Sequence, residues 1–367
     1  MSDMSRALTY AATQTARVAF YGAHYLAARI VARDAFSGMP VPKRPIPSLA
    51  TMLAAMRALF TKDWYNVEAG LYPAPIDPIG EMRAAMKSTR FLFDIPRVAK
   101  RQKRGGHSEV KGTGENLPRY FRQNFHFQTD GYLTEKSAKL YDFQVEALFA
   151  GTADAMRRQA FVPVAKFLED RDAKKTTLLD IGAGTGRFLS FVKKARPNLR
   201  AIALDLSEPY LEEAQRNLAG FKNVEFINAP AEKMPLPDAS VDAAVSIFLF
   251  HELPPKIRAS VAKEIARVLK PGGIFVLADS IQYGDATDFD GMIDIFPHLL
   301  HEPYFSSYAK TDFDKLFGAA GLKREESGLA YLTKVSVFRK PRRAAHAKPS
   351  ESAPSKASSA RRSSRLR

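Results

Sequence analysis

At 367 residues and 46% apolar content, the chain is long enough for one large domain with additions, or for two modest domains. It has no cysteine, which excludes disulfides, thiolate zinc sites and any cysteine nucleophile, and fits a reducing compartment. The net charge of +16 is concentrated in two places: nine Lys/Arg against Glu351 from Lys340 to Arg367, and eight against Glu109 and Glu115 from Arg97 to Arg122. Such local patches point to phosphate, on lipid or nucleic acid, although solubility alone accounts for the last segment equally well.

No segment reaches the ~20 apolar residues of a membrane-spanning helix; the nearest candidate, Val18 to Ala28, is stopped by Arg17 and Arg29. The first thirty residues lack the continuous apolar run of a secretory signal. The expected location is the cytoplasm, with an anionic membrane surface as a candidate partner.

Residues 1–104 read as a helical extension with three amphipathic segments. In the first, Leu8, Ala12, Thr15, Val18, Gly22, Tyr25 and Leu26 recur at helical spacing, with Arg17 and His24 off the stripe. In the second, Ser48 is a candidate cap, and Leu49, Met52, Leu53, Met56, Leu59 and Phe60 form an apolar face. The third runs from about Ile79 to Lys100, with Met82, Met86 and Phe93 among its apolar positions. These stripes fit core packing, a lid over a cavity, or a face on a membrane, with core or lid the plainer reading.

Residues 105–175 comprise a glycine-rich loop (105 to 118), an aromatic segment YFRQNFHFQTDGYL from Tyr120 to Leu133, and lead-in helix from Glu135 to Asp170 broken near Gly151. From Thr176 strands and helices alternate. The strands are Thr176–Ile181, Arg200–Leu206, Val224–Ile227, Val241–Phe248, Ile274–Ala278, about Glu325–Leu329 and Leu332–Arg339. This pattern predicts an α/β fold: a doubly wound, mostly parallel seven-stranded sheet over residues 176–340, its last strand antiparallel. Residues 341–367, rich in Ser, Ala, Arg and Lys, are expected to be a disordered tail dispensable for folding.

The segment LLDIGAGTGRF, Leu178 to Phe188, carries the chemistry. A buried strand delivers Asp180 to a turn in which Gly182, Gly184 and Gly186 allow close approach to a ligand. A dinucleotide site would show G-x-G-x-x-G; here the spacing is G-x-G-x-G, led by an acid that suits an ammonium and repels a pyrophosphate. Asp205 ends the second strand, where a carboxylate accepts from ribose hydroxyls.

This array resembles the first motif of class I S-adenosylmethionine-dependent methyltransferases. NAPAEKMPLPDASVDAAVS, Asn228 to Ser246, and VLKPGGIFVLAD, Val268 to Asp279, are similar to later motifs of the ubiquinone/menaquinone-methyltransferase-like branch. The resemblance covers about half the chain, and implies S-adenosylmethionine as cofactor. Gly182, Gly184 and Gly186 would cradle its methionine part, Asp205 would bind the ribose, and Leu206 would pack on the adenine. Ala231 would offer its backbone amide to the ring, and Ser246 would border the sulfonium. One departure is Pro230, where the family often has an Asp or Asn reading the adenine amine; Glu232 or a backbone carbonyl would have to substitute.

Ser246 is followed by IFLFHELPP, Ile247 to Pro255, so His251 and Glu252 are expected near the methyl group. His251 is the candidate catalytic base, the alternative being a histidine that orders the loop. The expected acceptor is small or lipophilic, methylated at carbon or oxygen. An RNA or protein acceptor is the alternative, weakened by the missing Asn/Asp-Pro-Pro-aromatic box and the absent cysteine. A non-catalytic adaptor is a further one. Phe125, Phe127 and Tyr132, with FPHLLHEPYFSSY from Phe296 to Tyr308, are candidate pocket walls. His298 and His301 lie in that second wall, but no His/Asp/Glu spacing supports a metal site, and none is expected.

Overall fold

The structure, a computed structural model, describes residues 3–33, 41–104, 110 and 116–342. The glycine-rich stretch after Arg104 and the tail beyond Arg342 fall outside the described residues, apart from Val110 and the positions from Asn116 onward.

Seven strands form one sheet: β1 (Thr177–Ile181), β2 (Arg200–Asp205), β3 (Val224–Asn228), β4 (Val241–Ile247), β5 (Leu269–Ser280), β6 (Lys323–Ala330) and β7 (Thr333–Arg339). Their order is β3-β2-β1-β4-β5-β7-β6, with β7 antiparallel to both neighbours and the inner pairs parallel. The sheet is therefore mixed, as the tight β6–β7 connection through Tyr331 (φ 58°) requires. β5 starts earlier than expected. Leu269 already pairs with Val241, and the Pro271-Gly272-Gly273 stretch forms an irregularity inside the strand rather than a turn before it.

β1 alternates its side chains between two cores: Leu179 and Ile181 face one, Leu178 the other. Helices α8 (Pro255–Val268) and α11 (Phe313–Ala319) cover the first face. The second face receives α6 (Arg187–Ala195), α7 (Glu208–Leu218) and α5 (Ala153–Phe167). Helix α5 precedes Thr176, yet Ala160, Phe161, Val164 and Ala165 sit in the same core as Leu178, Val245 and Val276. The segment from Phe296 to Tyr308 is mostly helical rather than a loop, made of α9 (Asp290–Leu300) and α10 (Phe305–Tyr308).

The lead-in helix divides as expected into α4 (Glu135–Leu148) and α5 around Ala150 (φ 47°) and Gly151 (φ 82°). A Cβ on Gly151 would meet the Arg17 carbonyl oxygen at 3.0 Å, so this glycine both turns the chain and lets α1 approach.

The N-terminal helices are α1 (Asp3–Val31), α2 (Leu49–Glu68) and α3 (Pro78–Arg104). Ser48 caps α2, its hydroxyl accepting from the Thr51 amide at 3.0 Å. Their orientation overturns the expected packing. Helix α1 buries Tyr10, Gln14 and Tyr21, while Leu8, Tyr25, Leu26 and Ile30 are exposed. Arg17 turns inward to Glu81, Glu146 and Asp154. On α2 the inner face is Met56, Leu59, Asp63 and Val67, leaving Leu49 and Leu53 outside. On α3, Met82, Met86 and Phe93 are 59–77% exposed, and the helix instead buries Asp94 and Ile95. The physical reason is that the inner seam is polar and aromatic, with Tyr10 paired to Asp63 and Arg17 to Glu81, Glu146 and Asp154.

Candidate active site

The glycine turn follows β1. Gly182, Gly184 and Gly186 all have positive φ, but they do different work. A Cβ at Gly184 would meet nothing within 4 Å, whereas one at Gly186 would lie 2.8 Å from Leu218 and 3.1 Å from Ala214. Gly184 thus borders open space, while Gly186 lets α6 pack on α7. The Gly184 amide donates to Asp205 Oδ2 at 2.7 Å, and the Ser207 amide donates to Oδ1 at 2.8 Å, fixing that carboxylate at the end of β2.

A pocket opens here, beyond the carboxyl ends of β1, β2 and β4. Gly182, Gly184, Asp205, Leu206 and Ala231 lie on its wall, with Tyr120, Phe121, Phe125 and Tyr132 of the aromatic segment opposite. Phe125 stacks on Tyr132 at 5.5 Å, whereas Phe127 sits apart against His301. Ser246 is not on this wall. It is fully buried with an unpartnered hydroxyl, and Ile247, Phe248 and Leu249 face the pocket instead. Glu232 is held by the Tyr120 hydroxyl at 2.7 and 2.9 Å, which fastens the aromatic segment over the site.

Asp180 is 1% exposed, and its Oδ2 has no hydrogen-bond partner. Burial, and then the nearby Asp205 carboxylate, push its pKa up to about 8, opposed by Arg157. Asp180 is not on the pocket wall; it lies behind the glycine turn, and its orphaned carboxylate together with the fixed Asp205 fits a ligand carrying an ammonium and a ribose.

His251 and Glu252 stand on a short turn after β4, where Phe248 takes a φ of 54°. The His251 Nδ1 lies 2.6 Å from Asp279 Oδ1, and Asp279 Oδ2 accepts from the Phe250 amide at 2.8 Å. Burial opposes a charge on His251, but Asp279, then Glu302 and Glu252, outweigh it and push its pKa up to about 9. Asp279 escaped the sequence reading as a functional residue, although it closes the VLKPGGIFVLAD motif. The Tyr132 hydroxyl donates to Glu252 Oε1 at 2.5 Å.

Two further cavities adjoin. One is lined by His126, His251, Glu252, Met292, Phe296 and Phe305, among others, so the second expected wall does face the site. The other lies between Tyr25 and Ala28 of α1, Phe91, Val98 and Ala99 of α3, and Leu148 of α4. Tyr141 lines all three spaces, making one wall from the glycine turn to the N-terminal helices.

Residues 178–273 match the family model described as a methyltransferase domain. The chain is similar to the demethylmenaquinone methyltransferase of Clavibacter sepedonicus, 39% identical over 28% of this chain and 40% of that one. It also resembles the carboxy-S-adenosyl-L-methionine synthase of Aeromonas hydrophila (30%, over 33% and 50%). A third relative is the ubiquinone/menaquinone biosynthesis C-methyltransferase of Rickettsia massiliae (35%, over 30% and 48%). The chain spans half or less of the length of these relatives. The matched segment holds Asp180, the glycine turn, Asp205 and His251 on one mixed seven-stranded sheet. Residues 178–273 therefore form a class I S-adenosylmethionine-dependent methyltransferase domain, similar to that of ubiquinone/menaquinone methyltransferases.

Proposed function

We propose that the protein transfers a methyl group from S-adenosylmethionine to a carbon or oxygen of a large apolar acceptor held beneath α1, α3 and α4. The observation that carries this reading is the continuous wall of Tyr141 joining the glycine-turn pocket to two apolar cavities. The cofactor supplies a sulfonium-activated methyl group for in-line transfer. Asp180 would take its ammonium, Asp205 its ribose hydroxyls, Leu206 and Ala231 its adenine, with Gly182 and Gly184 permitting close approach. Tyr120 and Tyr132, tied to Glu232 and Glu252, would exclude water and hold the acceptor in line. His251, oriented by Asp279, stands on the acceptor side, where its imidazole would help to position the acceptor.

The exposed apolar residues of α1 and α3 support membrane access for that acceptor. Tyr25, Ala28, Phe91 and Val98 line the outer cavity, while their neighbours Leu26, Ile30, Leu92 and Phe93 face outward. Arg90, Arg97 and Lys100 are exposed on the same helix, α3. An apolar face with flanking cations suits an anionic lipid surface. Among the described residues no helix is long and apolar enough to cross a membrane.

The test is calorimetric titration with S-adenosylmethionine, followed by turnover with labelled cofactor on a lipid extract and on an RNA pool. Label in the lipid extract alone supports the reading. Label in RNA alone would replace it with a nucleic-acid methyltransferase.

A further inference from the structure

Four groups that no sequence spacing connects converge at the inner end of the acceptor cavity. His126 comes from the aromatic segment, His251 and Glu252 from the turn after β4, and Glu302 from the turn after α9. One nitrogen or oxygen from each lies within 4.8 Å of all the others. His126, His251 and Glu252 lie on the cavity wall.

From this convergence we propose that His126, His251, Glu252 and Glu302 form a binding site for a divalent transition-metal ion. Glu302 is 2% exposed; its Oε1 lies 2.6 Å from His126 Nε2, and its Oε2 has no hydrogen-bond partner. A carboxylate left this way in the interior is costly unless a cation completes it. His251 supports the same conclusion. Its Nδ1 is engaged by Asp279, which turns Nε2 toward the cluster, 3.9 Å from Glu252 Oε1. A carboxylate behind a ligating imidazole is the usual way its tautomer and ring orientation are fixed.

Two further features agree. His126 is held at φ 56°, ψ 19°, a left-handed conformation that a non-glycine residue keeps only where its surroundings enforce it. The cluster and its neighbour Asp279 also gather three carboxylates around two imidazoles, an excess of acidic groups that favours a cation. Two nitrogens and two oxygens match Zn²⁺, Mn²⁺, Fe²⁺ or Co²⁺ better than Mg²⁺ or Ca²⁺, which favour all-oxygen ligands. Ligand bonds of about 2.0–2.2 Å require the wider pairs to close in and His126 and Glu302, now 2.6 Å apart, to separate around the ion. Neither His298 nor His301 belongs to the set.

The ion would face the acceptor, where it orients an acceptor oxygen beside the methyl group; this use of the ion rests on the methyltransferase reading, but its binding does not. The experiment is therefore a direct titration. Full-length protein is stripped with a chelator and titrated with Co²⁺, Zn²⁺ and Mn²⁺ by calorimetry, with the visible absorption of Co²⁺ recorded. One equivalent is expected, with a Co²⁺ d–d band. In Glu302→Gln and His126→Gln, affinity should fall at least about tenfold while S-adenosylmethionine binds as in the wild type. The proposal is overturned if stripped wild-type protein binds the cofactor but none of the three ions saturably. It is equally overturned if both variants, still folded by cofactor binding, retain wild-type metal affinity. Loss of cofactor binding with metal binding intact would instead count against the methyltransferase reading alone.

Discussion

Asp63 and Arg158 form a two-point ion pair between α2 and α5, with Nε donating to Oδ1 at 2.9 Å and the guanidinium NH2 to Oδ2 at 2.6 Å. The Tyr10 and Tyr72 hydroxyls donate to the same carboxylate at 2.6 and 2.7 Å, so one fully buried acid joins α1, α2 and the sheet-bound helix α5. Removing it leaves a buried guanidinium and two hydroxyls uncompensated. Asp63→Ala should therefore destabilise the protein by about 3–5 kcal/mol. Denaturant unfolding checks this, and a loss under about 1 kcal/mol would mean that the N-terminal helices are not held as described.

The cofactor assignment predicts separate effects at two positions. Gly184→Val would place a side chain in open space at a φ of +54°, filling the cradle and straining the turn, and should abolish binding. Asp205→Ala removes the fixed carboxylate and should weaken binding by about 1.5–3 kcal/mol, roughly 10- to 150-fold. Calorimetry on both variants decides it, and unchanged affinities would remove the glycine turn from the site.

Asp180 gives a pH prediction. The groups that act on it are Asp205, which reinforces the effect of burial, and Arg157, which opposes it. With its pKa near 8, it is mostly protonated at pH 7 without ligand, and binding a cofactor ammonium must release that proton. Affinity should rise by up to about tenfold per pH unit below pH 8 and level off above it. At pH 7 the binding enthalpy should vary with the ionisation enthalpy of the buffer. The linkage to folding has the opposite sense: a carboxyl raised in the folded state lowers ligand-free stability as pH rises from about 4 to about 8. A buffer-independent enthalpy would show that Asp180 does not change protonation on binding.

The exposed face of α1 and α3 predicts co-sedimentation with anionic but not neutral vesicles, reversed by salt. Met86→Asp with Phe93→Asp should abolish it while cofactor affinity is kept. Binding to neither vesicle type, with binding to RNA, would assign the basic segment to nucleic acid.

These predictions draw unevenly on what the sequence discloses. The strands were legible because buried parallel strands are short apolar runs, and the acid–glycine–acid array because its spacing differs from a dinucleotide loop. The N-terminal helices were readable as helices but not in their orientation. Arg17 reads as lying off the apolar stripe of its helix until Glu81, Glu146 and Asp154 are seen to pair with it. Ser246 was placed by analogy with the end of a strand, and its neighbours face the pocket instead. The His126–His251–Glu252–Glu302 cluster was invisible, since three separate stretches of chain meet only through the fold.

The central claim is that an apolar acceptor reaches the methyl group through the cavity beneath α1, α3 and α4. Ala99 lines that cavity but not the glycine-turn pocket, so Ala99→Trp should block the passage and leave cofactor binding intact. The measurement is transfer of labelled methyl from S-adenosylmethionine into an organic-extractable product by wild type and Ala99→Trp, with cofactor affinity determined for both. The expected result is labelled product from the wild type, little or none from the variant, and equal cofactor affinities. Equal turnover of the apolar acceptor by both proteins, or label entering only RNA or protein, would contradict it.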